Sequence, residues 1–348
     1  MFTVAQLGSY DRNIGDNIAL QNIRYALQEN KPESKESISW LNLDISTFHN
    51  LNNSIEHSKN IFKDLQENHK IDMLIIGGGG LIEGAKRYET NWKLPFNKEI
   101  LDTIKVPIVV FSAGINYFYN YPELSESAKK QVIALYNSSS LFSLRNDGSC
   151  EIFKSFHDSD IIELPDPGLV FYHNEFNFKR KDKIKNGFFQ SAWNNKSEQK
   201  KGREFTKDNL DKINEFCSKN NLDNFCHTPK DYSFPWSNKQ YVIPANLFQT
   251  ACEYKNVLKA INLYGKYDFS VALRGHGQLI AVGVNLPSIY LSTQPKVLQF
   301  SQKNGFSQYT VDIKKDDWYQ QLEEKTRLLK SDKDFIKQWY EIRDKNMV

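Results

Sequence analysis

The sequence predicts an α/β protein built from two Rossmann-like domains with parallel sheets. Three observations predict it. The chain has 348 residues, about twice the usual single-domain length. Short apolar runs alternate with helical patterns along most of it, the βαβα order that builds a parallel sheet covered on both faces. Three apolar runs also end in glycine-loosened segments: Asn13-Ile14-Gly15-Asp16, Gly77-Gly78-Gly79-Gly80 and Arg274-Gly275-His276-Gly277. Strand ends of this kind are where open α/β sheets bind ligands, and the three together suggest an anionic substrate held between parallel-sheet layers.

The elements follow in order. Phe2 to Leu7 reads as a strand. Asp16 to Gln28 reads as a helix, because Ile18, Ala19, Ile23, Ala26 and Leu27 recur at helical spacing. Ile38 to Leu43 is a strand, Asn53 to Gln66 a polar helix, and Met73 to Ile76 a short buried strand before the glycine run. Pro107 to Ala113, Leu141 to Leu144 and Asp160 to Leu164 are strands; Ser125 to Tyr136 and Asp147 to Phe156 are helices. The charged stretch from His173 to Lys183 reads as a linker, with the boundary between Tyr172 and Lys185. The second half restarts with a strand at Gly187 to Ser191, helices at Phe205 to Lys219 and Leu247 to Leu263, and a strand from Phe269 to Leu273. A helix from Gln278 to Val284, strands at Pro287 to Leu291 and Tyr309 to Ile313, and a long amphipathic helix from Trp318 to Asp344, broken near Ser331, complete it. The expected domains are residues 1–175, residues 183–315 and a helical end at 316–348.

Composition narrows the function. Hydrophobic residues make up 40% and charged residues 25%, ordinary for a soluble globular protein. A net charge of +3 is too small to imply nucleic acid, but it allows mild attraction to anionic substrates or to the inner surface of a membrane. No basic region with a following apolar run marks the N-terminus as a signal peptide, and no stretch approaches the roughly 18 apolar residues of a spanning helix. The expected location is the cytoplasm, with Cys150, Cys217, Cys226 and Cys252 as free thiols. Cys226-His227 has the look of half a metal site, but no partner pair lies nearby in sequence.

Four local signals carry chemistry. Glycine without a Cβ lets backbone N–H groups converge on an anion, so Gly78, Gly79 and Gly80 are candidate anion-binding backbone; the plain reading is a tight turn. The run is not a P-loop, because no Gly-Lys-Ser/Thr follows. Asp16 either neutralises a helix N-terminus or offers a carboxylate to a substrate. Arg145, after Phe142-Ser143-Leu144, is placed for bidentate contact with a carboxylate or phosphate, against the plain reading of a surface ion pair. Arg274 is delivered to a strand end by Val271-Ala272-Leu273. Glycines flank His276, a histidine suited to proton transfer beside a bound anion. His49, His57, His69, His157 and His173 read as surface or loop residues.

Asn13-Ile14-Gly15-Asp16, Ile75-Ile76-Gly77-Gly78-Gly79-Gly80-Leu81, Ser143-Leu144-Arg145, Asp166-Pro167 and Arg274-Gly275-His276-Gly277, in this order, resemble the polysaccharide pyruvyl transferase family from about Gly8 to Ser292. The late family motif usually reads Arg-Leu-His-Gly; Gly275 stands here in place of the leucine. The resemblance implies a GT-B-like fold with the active site in the interdomain cleft. It implies transfer of a pyruvyl group from phosphoenolpyruvate onto two hydroxyls of a sugar, forming a cyclic ketal and releasing phosphate. No metal and no cofactor is implied, and the acceptor is a glycan or a lipid-linked oligosaccharide of a bacterial cell-surface polysaccharide such as a capsule. It also implies that Asp16 and His276 form the catalytic pair, with His276 favoured as acid and Asp16 as base, the assignment staying open. Arg145, Arg274, Gly275, Asn13 and Gly15 would bind phosphoenolpyruvate. Two other functions remain: a GT-B glycosyltransferase using a nucleotide sugar, which would want a ribose-binding carboxylate that no spacing identifies, and a non-catalytic sugar- or phosphate-binding module. Tyr117, Tyr119, Trp193 and Trp236 are candidates for stacking on sugar rings.

Overall fold

The computed structural model describes residues 1–10, 14–31, 37–48, 55–83, 96–116, 124–169, 178–181, 183–191, 207–227, 240–242 and 261–347. They divide into two compact units. The first holds Met1–Asp11, Ala19–Tyr117 and Tyr121–Pro167; the second holds Arg12–Ile18, Phe118–Asn120 and Gly168–Val348. Residues 172–177 and 182 of the expected boundary lie outside the described residues, as do Asn13, Tyr117, Tyr119, Trp193, Trp236, Cys252 and most of the helix expected from Leu247 to Leu263.

In the first unit the chain alternates β1 (Phe2–Gly8), α1 (Ile14–Glu29, whose residues up to Ile18 group with the second unit), β2 (Ile38–Asp44), α2 (Ile55–Glu67), β3 (Met73–Glu83), α3 (Lys98–Leu101), β4 (Ile108–Asn116), α4 (Glu126–Ser138), β5 (Leu141–Arg145), α5 (Ser149–Lys154) and β6 (Ile162–Leu164). The six strands form one sheet in the order β2-β1-β3-β4-β5-β6, parallel at every pair. Its core joins Ala5, Leu7, Leu74, Ile76, Val110 and Leu144 from the strands to Phe62, Val132 and Phe153 from the covering helices. Near-continuous apolar strands are what burial on both faces demands.

The second unit repeats the pattern: β7 (Gly187–Gln190), α6 (Lys207–Lys219), β8 (Asp223–Cys226), β9 (Gln240–Val242), β10 (Phe269–Ala272), α7 (Gly275–Gly283), β11 (Ser288–Ser292), α8 (Pro295–Lys303), β12 (Thr310–Asp312), α9 (Trp318–Ser331) and α10 (Lys333–Asn346). Its sheet runs β12-β11-β10-β7-β8-β9, again parallel throughout. The helix pair at the end packs on its own unit, with Trp339 and Leu322 buried beside Tyr290, Phe306 and Tyr309. Asp332 breaks the pair by capping α10, accepting from the N–H groups of Asp334 and Phe335 at 2.9 and 3.1 Å.

The α/β class with two Rossmann-like parallel sheets is the one the sequence predicts. Several details differ. Gly77–Gly80 is not a turn: β3 runs through all four glycines to Glu83. Gly77, Gly78 and Gly79 take φ of 154°, 78° and 106°, and the ladder with β4 shifts register between Gly79 and Ile82. The glycines let an irregular strand continue where other residues would strain. Helix α7 begins at Gly275, three residues before the expected start. Strands β8 and β9 and helices α3 and α8 are additional; the polar Asp223-Asn224 opening, the polar face of α8 and the shortness of β9 and α3 hide them from an apolar-run criterion.

Candidate functional site

Each strand of the second sheet is parallel to its neighbours, so all their C-terminal ends share one edge. Strand β10 is buried along its length and delivers Arg274, which stays extended at φ −90° and ψ 142°; α7 starts at the next residue. The apolar stretch Leu279 to Val282 anchors this helix, leaving its polar first turn at the edge. The first turn of α1 groups with this same unit. Ile14 and Ile18 bury themselves with Phe188, Phe225 and Tyr264, and the Ile14 N–H donates to the His227 carbonyl at 3.4 Å.

That docking brings Asp16 to His276, with Oδ1 3.4 Å from Nδ1 and both side chains mostly shielded, at 15% and 12% exposure. Gly15 is what allows the approach. A Cβ there would overlap the His276 side chain and stand 2.9 Å from its Nδ1. Asp16 and His276, the pair that the family resemblance implies, are thus neighbours in the fold, and Gly15 makes room for the histidine. Gly275, by contrast, has open space where a Cβ would go, so neither packing nor a positive φ requires glycine in place of the usual leucine.

His227 joins the cluster from the end of β8 and is fully buried. Its Nε2 lies 2.7 Å from the Tyr264 hydroxyl. Burial first, then the nearby charges of Arg274 and His276, holds its imidazole well below the ordinary histidine value, so it is neutral. The only sequence signal was the Cys226-His227 pair. That pair is structural here: Cys226 is equally buried, and Ser191 Oγ lies 3.4 Å from its Sγ. Among the described residues no group of three or more His, Cys, Asp and Glu is arranged to hold a metal.

The neutral state of His227 has a pH consequence. Below the unfolded value of about 6.5 the unfolded chain binds a proton that the folded chain refuses. Stability therefore falls as pH drops through that window, by about 1.4 kcal/mol per pH unit from this group. His227→Gln is expected to flatten the acid limb by about one proton, measured by denaturant titrations from about pH 5 to about pH 7. An unchanged slope would mean that the imidazole protonates freely in the folded protein.

Arg145 belongs to the first unit. It is buried, and its guanidinium bridges two carboxylates, Asp166 at 2.6 Å and Asp147 at 2.7 Å. Gly114 lies flush against it, since any Cβ there would overlap the guanidinium. Ser149 completes the arrangement: its hydroxyl is 2.5 Å from Asp147 Oδ1 and accepts the Ile115 N–H at 2.8 Å. The plain sequence reading, a surface ion pair, is wrong about depth; this is a buried ion triad at the junction of β4, β5 and α5. Gly78 and Gly80, expected as anion-binding backbone, are accounted for by packing. Gly78 faces Ile23 and Leu20 of α1, and Asn116 donates from Nδ2 to the Gly80 carbonyl at 2.7 Å.

Comparison with known proteins agrees with this architecture. The staphylococcal (S. aureus) MnaA–UDP co-structure superposes with a TM-score of 0.57 at 12% identity, covering 98% of this chain and 91% of that one. A UDP-GlcNAc 2-epimerase from Neisseria meningitidis, bound to UDP-GlcNAc, gives 0.54 at 12% identity, covering 97% and 94%. At such identities the likeness is one of GT-B-like fold. No curated protein matches the sequence significantly. The model of the family described as polysaccharide pyruvyl transferase matches residues 13–295, which include Asp16, Arg145, Arg274 and His276. With most of its length matched, the chain belongs to the polysaccharide pyruvyl transferase family and is a transferase.

Proposed function

We propose that the protein transfers the pyruvyl group of phosphoenolpyruvate to two hydroxyls of one sugar in a surface polysaccharide or its precursor. The observation that carries the reading is the Asp16–His276 pair, 3.4 Å apart at the sheet edge where Arg274 emerges. The donor is an enol phosphate with a carboxylate, so Arg274 is the natural anion contact. His276 protonates the methylene carbon, which leaves C2 cationic. The first hydroxyl adds to C2 and gives up its proton to Asp16. The C2–O bond to phosphate then breaks, and the second hydroxyl closes the ketal, its proton leaving with the phosphate. The net balance is one donor plus one diol to one ketal plus one phosphate. Asp16 beside Nδ1 suits it to orient and charge-stabilise the imidazole as well as to accept a proton, as carboxylate–histidine pairs do elsewhere.

The surroundings of Arg145 support a different role from the donor contact that the family resemblance implies. Its charge already serves Asp147 and Asp166, and a donor anion would have to displace one of them.

Incubation with phosphoenolpyruvate and a set of sugar acceptors, followed by mass and phosphate measurement, tests the proposal. The expected gain on the acceptor is one pyruvyl unit with loss of water, at one phosphate released per transfer. Turnover is expected to persist in EDTA. Consumption of a nucleotide sugar instead would make the protein a glycosyltransferase, and binding without turnover would make it a binding module.

A further inference from the structure

The turn that carries Arg274 and His276 is closed by the Gln278 N–H, which donates to the Arg274 carbonyl at 3.2 Å, but it lacks a side-chain cap. Arg274 is the N-cap of α7, yet its side chain makes no capping hydrogen bond. The neighbouring strand supplies the missing constraint. Gln190 ends β7, in register with Ala272 of β10, and is completely buried. Its carbonyl accepts the Leu273 N–H at 3.1 Å, the last rung between the two strands. Its side-chain Oε1 then accepts the Arg274 N–H at 2.9 Å, one residue beyond where the ladder stops. Its Nε2 donates to the Ser191 carbonyl, which fixes the way the amide faces.

The same Oε1 meets the turn at a second point. A Cβ on Gly277 would stand 2.5 Å from it and 3.1 Å from Cδ. Gly277 has no positive φ, so its glycine is demanded by the approach of this amide and not by backbone conformation. One buried side chain thus contacts both ends of the four-residue turn, Arg274 and Gly277, with Gly275 and His276 between them. Buried amides are retained where their bonds are made, and both hydrogen-bonding atoms of this one are spent at the sheet edge.

We propose that Gln190 is a positioning residue, which sets Arg274 and His276 toward the donor by clamping their turn, and that Gly277 is glycine to admit it. The inference rests on the reading of Arg274 as the donor's anion contact and deepens it. The test is calorimetric titration of phosphoenolpyruvate into wild type, Gln190→Met, Gly277→Ala, the double variant and Arg274→Ala, with thermal melts alongside. Methionine keeps the volume of Gln190 and removes the acceptor. Each single variant is expected to stay folded and bind phosphoenolpyruvate roughly tenfold more weakly, the loss of about one hydrogen bond. The double variant is expected to be little worse than either, because both changes break one contact. Multiplied losses in the double variant would overturn the shared clamp. Loss of binding in Arg274→Ala, with wild-type affinity in the other variants, would overturn the role of Gln190 alone. Unchanged binding in Arg274→Ala would overturn the donor reading itself, and the inference with it. If Gln190→Met does not fold, Gly277→Ala decides by the same affinity criterion.

Discussion

His276→Ala is expected to cut turnover by roughly 10²–10⁴-fold, the range for a lost general acid, while phosphoenolpyruvate still binds. The expectation follows from where the ring sits. Its Nδ1 faces Asp16 at 3.4 Å, and its side chain is 12% exposed, so the imidazole is shielded and backed by one carboxylate. Removing it leaves the first turn of α1 in place, because Ile14 is held by the His227 carbonyl and by the apolar cluster around Phe188 and Phe225. Single-turnover rates and donor affinity should therefore separate. Asp16→Asn, which keeps the shape and removes the charge, is expected to lower turnover as well, since the cation on C2 and on the imidazole loses its counter-charge. If His276→Ala instead abolished donor binding and kept its rate at saturation, the histidine would be a phosphate ligand, and Asp16 would become the candidate acid.

The second large effect concerns the other unit. Arg145→Ala is expected to destabilise the protein by about 3–5 kcal/mol, because it strands two buried carboxylates without their cation. Asp166 and Asp147 lie 2.6 and 2.7 Å from the guanidinium, and Asp166 is almost fully shielded. Lysine is not expected to rescue it, since a single ammonium lacks the fork that reaches both acids. Denaturant midpoints, with phosphoenolpyruvate affinity measured below the transition, check this. Full stability combined with a selective loss of donor affinity would mean that the arginine serves the donor and not the fold.

The elements that the sequence predicts well are those that are mostly buried. Strands β1, β4, β5, β10 and β11 are apolar runs, and each appears within a few residues of its expected position. Periodicity fails where an element is short or polar. Strand β8 opens on Asp223-Asn224, and β9 is three residues long. It fails also at the glycine run, where four residues without side chains carry no pattern. Only the pairing of β3 with β4 shows that the chain continues as a strand.

The site divides along the same line. Residue chemistry alone pointed to Arg274 and His276, beside glycine at a strand end, and left Asp16 open between a helix N-terminus and a substrate contact until the family resemblance was drawn. Distances between them were not legible: Asp16 and His276 are 260 positions apart in sequence and meet only because α1 begins within the second unit. His227 and Gln190 were invisible as contributors, one beside a cysteine and one closing an apolar strand. Their roles depend on a neighbouring strand's register, which no local pattern records.

By itself, then, the order of apolar runs determined the two parallel sheets, since burial on both faces is a local property, and the resemblance of the motifs pointed to the family. Tertiary structure decided which glycines make room for a neighbour and which face open space. It also decided that Arg145 is enclosed by acids and that a buried glutamine clamps the Arg274 turn. Those outcomes depend on close approach between segments distant in sequence, where a single methyl group or carboxylate changes the answer.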